Sequence, residues 1–199
     1  MPRKRDKLGD QISEMVEASI LQKARKLAPA ALPDGVITVL FTDVEGSTEL
    51  VRDKGDAEAR AILRRHDELV RKVLKEHDGV EVERAGDAFM LAFRFPTRAV
   101  AFALALHDRL SGDGDLRVRI GMDTGEVIRE EKGYFGRTVF RASRIAELGN
   151  GGQVLASEAT KVLAEASPGA RFADLGEKEL DGLGGRHRVF EVLAFEPPA

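Results

Sequence analysis

Apolar residues follow two different spacings along the chain from Val36 onward. Short β-branched or aromatic runs, beginning with VITVLFT at 36–42, predict buried strands. Longer stretches with apolar residues every three or four positions predict amphipathic helices. The order β-α-β-β-α-β up to Arg129 is that of the ferredoxin-like unit, so we predict an α+β fold with a ferredoxin-like core and a C-terminal α/β extension. The predicted elements are a strand over 36–42, a helix over 56–79, a hairpin over 80–94, a helix over 96–110, two strands within 116–129, a helix over 136–149, a strand over 153–157, a short helix over 157–166 and a strand over 186–195.

Two of these elements carry more detailed predictions. The two strands within 116–129 are expected to meet near Thr124 and Gly125. The first long helix should end at Gly79, since glycine favours helix C-termini. The residues expected on its inward face are Ala57, Ala61, Leu63, Leu69, Val70, Val73 and Leu74.

The N-terminal region has a pattern of its own. Residues 6–28 place apolar side chains at helical spacing and predict one amphipathic helix with a narrow stripe. Two prolines and a glycine in APAALPDG then break the helix, so we divide the chain into an N-terminal helix with linker, 1–34, and a main domain, 35–199. The helix either packs on its own domain or serves as a dimerising or signal-transmitting element, and the sequence leaves both open.

Composition narrows the possible classes of protein. The formal net charge of −3 gives no support to nucleic-acid binding. No apolar run approaches the roughly 20 residues that a membrane span needs, and the basic N-terminus is not followed by a signal-peptide core. The chain contains no cysteine, which excludes disulfides and thiolate sites and agrees with a cytoplasmic location.

Two acidic residues lie where strands end. Asp43 closes the first predicted strand, and Asp87 lies in the turn of the hairpin, which is a neighbour of that strand in a ferredoxin-like sheet. Two carboxylates at one point are suitable ligands for Mg²⁺, which usually shares its coordination shell with substrate phosphates. The turn VEGST, 44–48, contains a glycine and opens a helix, so its amides can bind phosphate. Taken singly, each aspartate is equally typical of a helix cap or a tight turn.

Four linked motifs resemble those of the class III nucleotidyl cyclase catalytic domain, in its bacterial and actinobacterial form. They are FTDVEGST, ERAGDAFM, RVRIGMDTGEV and YFGRTVFRASRI, and the resemblance covers about residues 36–195. It implies the class III cyclase fold and an enzyme that converts a nucleoside triphosphate into a 3′,5′-cyclic nucleotide and pyrophosphate for signalling. It also implies a homodimer with active sites shared between subunits and two Mg²⁺ or Mn²⁺ ions per site.

The resemblance assigns roles to individual residues. Asp43 and Asp87 match the metal-binding aspartates, and the Val44 carbonyl is expected to help with the second ion. Arg119 matches a position that binds the triphosphate, and Arg144 matches the arginine that stabilises charge on the transferring phosphorus. The residues expected to contact phosphates are Val44, Glu45, Gly46, Ser47 and Thr48.

Two positions that select the base depart from the adenylate cyclase pattern. Adenylate cyclases resemble one another in a lysine four residues before the second aspartate, and guanylate cyclases in a glutamate; here it is Glu83. The second selecting position aligns with Gly133, where adenine-specific members have Asp or Thr. Both residues favour GTP over ATP.

Two further departures concern turnover. Phe140 stands where the family has an asparagine that orients the ribose, and Arg137 or Arg141 is a possible replacement. The family's phosphate-binding lysine near the C-terminus is missing, and Arg186 or Arg188 is a possible substitute. The alternative function is therefore a catalytically weak, cyclase-like domain that binds nucleotide or regulates. A diguanylate cyclase or polymerase-like palm fits less well, because the chain lacks the corresponding hairpin motif.

Overall fold

The computed structural model describes residues 35–111, 116–167 and 169–195. The predicted N-terminal helix and linker lie outside these residues, so that division of the chain stays a prediction. The strands are β1 (Gly35–Val44), β2 (Val80–Ala85), β3 (Ala88–Phe93), β4 (Val118–Glu130), β5 (Gly133–Phe135), β6 (Val154–Ser157), β7 (Arg171–Glu179) and β8 (Arg186–Ala194). The helices are α1 (Ser47–Lys54), α2 (Asp56–Glu76), α3 (Pro96–Leu110), α4 (Arg137–Leu148) and α5 (Glu158–Ala164).

The strands form one mixed sheet in the order β2-β3-β1-β4-β6-β8-β7, with β5 paired to β4 off this path. Strand β1 is antiparallel to both of its neighbours, β3 and β4. One apolar cluster lies between the sheet and helices α2 and α3, and a second lies between the sheet and α4. Because both faces of β1 are covered, its residues 37–44 are all buried, including the polar residues Thr38, Thr42 and Asp43. The predicted ferredoxin-like core is confirmed.

One continuous strand, β4, occupies the stretch where we predicted two. It pairs with β1 without a turn at Gly125. A Cβ added at Gly121 would lie 2.1 Å from the backbone nitrogen of Ala146, and one added at Gly125 would lie 2.6 Å from Thr138 Oγ1. The two glycines therefore allow α4 to pack closely on the strand. The prediction of a turn was wrong because a strand glycine can serve close approach instead.

The first long helix begins separately from the short helix that precedes it, with Gly55 between them at φ 78° and ψ 162°. Its inward face was predicted correctly in the second half, where Val70, Val73 and Leu74 are buried. In the first half the prediction was wrong, since Ala57 is exposed and the buried apolar residues are Ala59 and Ile62. Partly buried positions are Ala61, Leu63 and Leu69.

The C-terminal extension adds β6 parallel to β4, then β8 and β7 in antiparallel pairing. Ser157 caps α5 by accepting a hydrogen bond from the Thr160 amide, as expected for a helix that starts with Ser-Glu. Strand β7 was not predicted, because its ladder with β8 is interrupted by register shifts and its sequence shows no clean alternation. Within the described ranges, every helix is too short or too polar to cross a bilayer.

Candidate active site

The two predicted metal ligands lie at the same edge of the sheet. The ladder between β1 and β3 ends where Thr42 pairs with Phe89. Asp43 is the next residue on β1, and Asp87 lies two residues beyond the ladder on the other strand, in the β2–β3 turn. The antiparallel topology thus brings together carboxylates that are distant in sequence, as predicted from their positions at the ends of neighbouring strands.

Both carboxylates are withdrawn from solvent, with 3% of Asp43 and 5% of Asp87 exposed. Arg119, the cross-strand partner of Asp43 on β4, donates from Nε to Asp43 Oδ2 at 3.1 Å. Asp87 Oδ2 is buried and has no hydrogen-bond partner. An unpartnered buried carboxylate oxygen is costly, so its presence points to a ligand that the chain itself does not supply.

The turn after Asp43 leads directly into helix α1. Gly46 precedes the helix at φ 72° and ψ 26°, a left-handed conformation that other residues adopt at a cost, and no side chain caps the helix. Ser47 and Thr48 form the first turn of α1, where backbone N–H groups lack intrahelical acceptors. The Glu45 carboxylate accepts a hydrogen bond from the Gly151 amide at 3.0 Å. The Glu45 side chain therefore holds this turn against the loop after α4, and a contact of Glu45 with phosphate stays a prediction.

The two residues predicted to select the base lie on strands β2 and β5. Glu83 is on the edge strand β2, half-buried, and Gly133 begins β5 at φ 106°. Burial raises the pKa of Glu83, and the nearby charge of Lys132 partly opposes this shift. Since Lys132 adjoins Gly133, the fold places both predicted selecting positions close together within one chain.

Phe140 and Arg144 occupy successive turns of helix α4. The Phe140 ring packs edge-on against Phe135, with ring centroids 5.8 Å apart. Arg144 donates from Nη1 to Glu147 Oε1 at 2.6 Å and from Nε to the Asp181 carbonyl at 3.2 Å. These contacts hold the Arg144 guanidinium beside the turn between β7 and β8, where the family's phosphate-binding lysine is expected.

Three of the arginines considered as substitutes, Arg141, Arg186 and Arg188, have acidic partners. Arg141 donates to the buried carboxylate of Asp123 at 2.7 Å. Arg188 donates from Nε to Asp174 at 3.0 Å, whereas Arg186 is largely exposed and lies 3.5 Å from Glu177.

Asp123 lies within the motif RVRIGMDTGEV, but it was not singled out from the sequence as a site residue. Burial raises the pKa of its carboxyl, and Ser157 and Arg141 oppose the shift. The residues also missed are His66 and Asp67, both buried on α2 behind the Asp87 turn. The sequence pattern does not show that these two side chains are buried, because their burial depends on how the hairpin packs on the helix.

The residues at this edge are suitable for a hard divalent cation. No cluster of three or more His, Cys, Asp or Glu side chains arranged for a metal occurs in the part of the chain that the structure describes. A cation bound by the carboxylates of Asp43 and Asp87, the latter with an unpartnered oxygen, would take its remaining ligands from the backbone, water and substrate. That division of ligands is the one that Mg²⁺ and Mn²⁺ adopt with phosphate-containing substrates.

Solved cyclase structures share this fold. Adenylate cyclase domains of Trypanosoma brucei, described in their monomeric state, superpose with a TM-score of 0.71 at 26% identity over 83% of this chain and 92% of theirs. The guanylate cyclase domain of RhGC from Catenaria anguillulae, solved in complex with GTP, gives a TM-score of 0.71 at 22% identity over 83% of this chain and 100% of that one. At such identity the second likeness shows the fold alone.

Sequence relatives agree with the structures. An uncharacterised protein of Mycobacterium tuberculosis is 38% identical over 155 residues, covering 76% of this chain and 53% of that protein. The adenylate cyclase of Lachancea kluyveri is 30% identical over 164 residues, covering 67% of this chain and 9% of that protein. The chain thus spans about half the length of the mycobacterial relative and a small part of the fungal enzyme.

The family model described as the adenylate and guanylate cyclase catalytic domain matches residues 31–193. This range contains all four motifs on which the resemblance was based, together with the sheet edge that carries Asp43 and Asp87. The chain therefore belongs to the adenylate and guanylate cyclase catalytic domain family.

Proposed function

We propose that the chain converts a nucleoside triphosphate, GTP in preference to ATP, into its 3′,5′-cyclic monophosphate and pyrophosphate. The observation that carries this proposal is the pair of buried carboxylates at one sheet edge, beside a helix start opened by a left-handed glycine. Family membership supports the reaction class.

Asp43 and Asp87, with the Val44 carbonyl, are the groups that would hold Mg²⁺ or Mn²⁺. When bound, such ions lower the pKa of a coordinated hydroxyl and neutralise triphosphate charge. Within the turn at 44–48 the Glu45 amide already donates to the Arg117 carbonyl at 2.8 Å, so the amides at the start of α1, where Gly46 curves the backbone, are the ones proposed to bind phosphate. Arg119, already beside Asp43, supplies a permanent positive charge at the same edge.

Arg144 is proposed to stabilise the charge that develops on the transferring phosphorus. Its guanidinium is held on two sides, by Glu147 and by the Asp181 carbonyl. A planar cation fixed in this way is preorganised, so it needs little rearrangement when the transition state forms.

Glu83 is proposed to read the base. A carboxylate accepts hydrogen bonds from guanine N1–H and N2–H₂, whereas adenine N1 presents it with another acceptor. An unpaired buried acceptor costs about 1–3 kcal/mol, so a preference for GTP of tenfold or more is expected. Gly133, at φ 106°, lacks a side chain that would accept from the adenine amino group.

The residues fall into two sets, which we propose meet across a homodimer interface. The first set, at the β1 and β2–β3 edge, contains Asp43 and Asp87. The second set, around β2, β5 and α4, contains Glu83, Gly133 and Arg144. In the class III family the metal aspartates and the base-selecting residues come from different subunits, and a symmetric pair would complete two sites.

The test is an assay of the purified chain with Mn²⁺ and either GTP or ATP, with products identified by mass spectrometry. Cyclic GMP is expected as the main product, with kcat/KM at least tenfold higher for GTP. Asp87→Asn should abolish the product, while Asp53→Asn, an exposed aspartate on α1, should not. Normal turnover by Asp87→Asn would contradict the metal assignment, and a tenfold preference for ATP would contradict the role of Glu83.

A second candidate function is nucleotide binding with little turnover. Phe140 cannot hydrogen-bond a ribose, and its ring is packed on Phe135. Arg141, one possible replacement, is committed to Asp123. Nucleotide binding without cyclic product in the same assay would favour this candidate.

A further inference from the structure

The turn that follows Asp43 is joined by a closed set of hydrogen bonds to the loop 149–153, which lies between α4 and β6. We propose that Glu45 is a positioning residue, which holds this turn in the shape in which the start of α1 binds the substrate triphosphate. The inference rests on the proposed function, because that function assigns the phosphates to the start of α1. Glu45 acts through its contacts with Arg117 and Gly151.

Three segments of the chain meet in this set of contacts. The Glu45 amide donates to the Arg117 carbonyl at 2.8 Å, and Glu45 Oε1 accepts from the Gly151 amide at 3.0 Å. Arg117 closes the set, since its Nη2 donates to the Gly151 carbonyl at 3.0 Å and its Nε lies 3.8 Å from Glu45 Oε2. The backbone and the side chain of Glu45 are therefore both used, and together they fix where the turn lies.

The loop that receives the Glu45 side chain is itself held on the sheet. The Gly152 amide donates to the Val118 carbonyl at 2.9 Å, and the Ile120 amide donates to the Gln153 carbonyl at 3.0 Å. Both bonds join backbone groups of the loop and of strand β4, so they do not depend on side-chain conformation. The loop therefore gives Glu45 a rigid point of attachment.

Helix α1, into which the turn leads, is held only weakly by the core. None of its residues is buried, and no side chain of the described residues caps its start. Its contact with the core comes from Leu50, which is only partly buried. The amides at the start of such a helix are preorganised for phosphate mainly by whatever fixes the turn before it. Preorganisation strengthens binding because less of the protein has to be ordered when the ligand arrives.

Two roles of the Glu45 carboxylate predict opposite results. If the carboxylate faced the phosphates, its charge would repel them, and both Glu45→Gln and Glu45→Ala would strengthen binding. If it holds the turn, glutamine keeps an oxygen that can accept from the Gly151 amide, whereas alanine has none. Under the proposal, Glu45→Gln therefore binds nearly as the parent does, and Glu45→Ala binds more weakly.

The test measures the binding of 3′-deoxyguanosine triphosphate, which cannot cyclise, with Mg²⁺ by isothermal titration calorimetry. We expect Glu45→Ala to raise the Kd about tenfold, since a hydrogen bond to a charged group typically contributes a change of about this size. Glu45→Gln should stay within about threefold of the parent. The control is Glu58→Ala on α2, which also removes an exposed glutamate with a cationic partner, Lys54 at 3.3 Å. Glu58→Ala should match the parent in Kd.

A second variant disturbs the same contact from the loop. A Cβ added at Gly151 would lie 2.4 Å from Glu45 Oε2 and 2.7 Å from Arg117 Cβ, so Gly151→Ala displaces the carboxylate. It should weaken binding as Glu45→Ala does, and the double variant should bind little more weakly than either single variant, because both remove one contact. Glu45→Ala itself should keep the parental melting temperature, since 40% of the Glu45 side chain is exposed.

The outcomes separate this inference from the proposed function. A parental Kd in Glu45→Ala, or tighter binding by Glu45→Gln, would overturn the role of Glu45 even where the parent produces cyclic GMP. A parent that makes no cyclic product, yet binds the nucleotide less well after Glu45→Ala, would keep this role and lose the cyclase activity. A parent that binds no nucleotide would refute both.

Discussion

Replacing Gly121 by alanine tests how closely helix α4 must approach the sheet. The added Cβ would lie 2.1 Å from the nitrogen, 2.4 Å from the Cα and 2.7 Å from the Cβ of Ala146. Backbone atoms cannot rotate away as a side chain can. Since ordinary contacts are about 3.5 Å, the helix must shift by roughly 1 Å or more.

The shift has two measurable consequences. Overpacking of this kind typically costs about 1–3 kcal/mol, which corresponds to a fall in melting temperature of about 2–12 °C for a domain of this size. Arg144 lies on the displaced helix, and a misplacement of about 1 Å in a catalytic group can cost about 100-fold in rate. We therefore expect Gly121→Ala to lose both stability and activity, with the larger relative loss in kcat.

The control is Gly125→Ala on the same strand. There the nearest atom is Thr138 Oγ1, at 2.6 Å, and Thr138→Ala removes it. Urea denaturation and kcat should show that Thr138→Ala relieves part of the defect of Gly125→Ala. Ala146→Gly should relieve little of the Gly121→Ala defect, because the backbone obstacle remains. A Gly121→Ala protein with parental stability and parental kcat would refute the reasoning.

Three further predictions follow from the site. Because burial lowers the pKa of His66 below its ordinary 6.5, the unfolded chain takes up a proton that the folded chain resists as pH falls. Stability should therefore decrease below pH 6.5, by at most about 1.4 kcal/mol per pH unit from this group, and His66→Phe should remove that part of the slope in urea titrations. Glu83→Lys should lower the ratio of kcat/KM for GTP to that for ATP at least tenfold, whereas Glu81→Gln on the same strand should leave the ratio unchanged. Mixing inactive Asp43→Ala with inactive Arg144→Ala should restore part of the cyclase activity, since one hybrid site is whole; no recovery despite proven subunit exchange would contradict a shared site.

The positions of Asp43 and Asp87 at one sheet edge could be predicted from the sequence because both residues lie where a strand ends. Asp43 follows an apolar run directly, and Asp87 accompanies a glycine between two strands, so strand order alone brings them together. The same reasoning failed at Gly125, where a glycine within an apolar run was interpreted as a turn. Only the position of α4 against the strand shows that the missing side chain makes room for Thr138.

The buried face of α2 shows a different limit. Counting apolar residues alone placed Ala57 inward and left His66 and Asp67 out of the inward face. With both included, the buried positions run from Ala59 and Ile62 through the polar pair to Val70 at helical spacing. The direction of the buried face was misjudged because two of the residues on it, His66 and Asp67, are polar.

This error has a general physical cause. A polar side chain is placed inside when the cost of its burial is offset by partners, and those partners come from other elements. Arg84, which pairs with Asp67, is on the following strand β2, where nothing in the sequence marks it as the partner of a residue on α2. Hydrophobic periodicity therefore finds the residues that fill a core, and strand-end motifs find the groups that meet a ligand. Buried polar residues that lie between the core and the strand ends have no such signal in the sequence. His66 is one of them, and its burial is seen only in the packing of helix α2 on the hairpin.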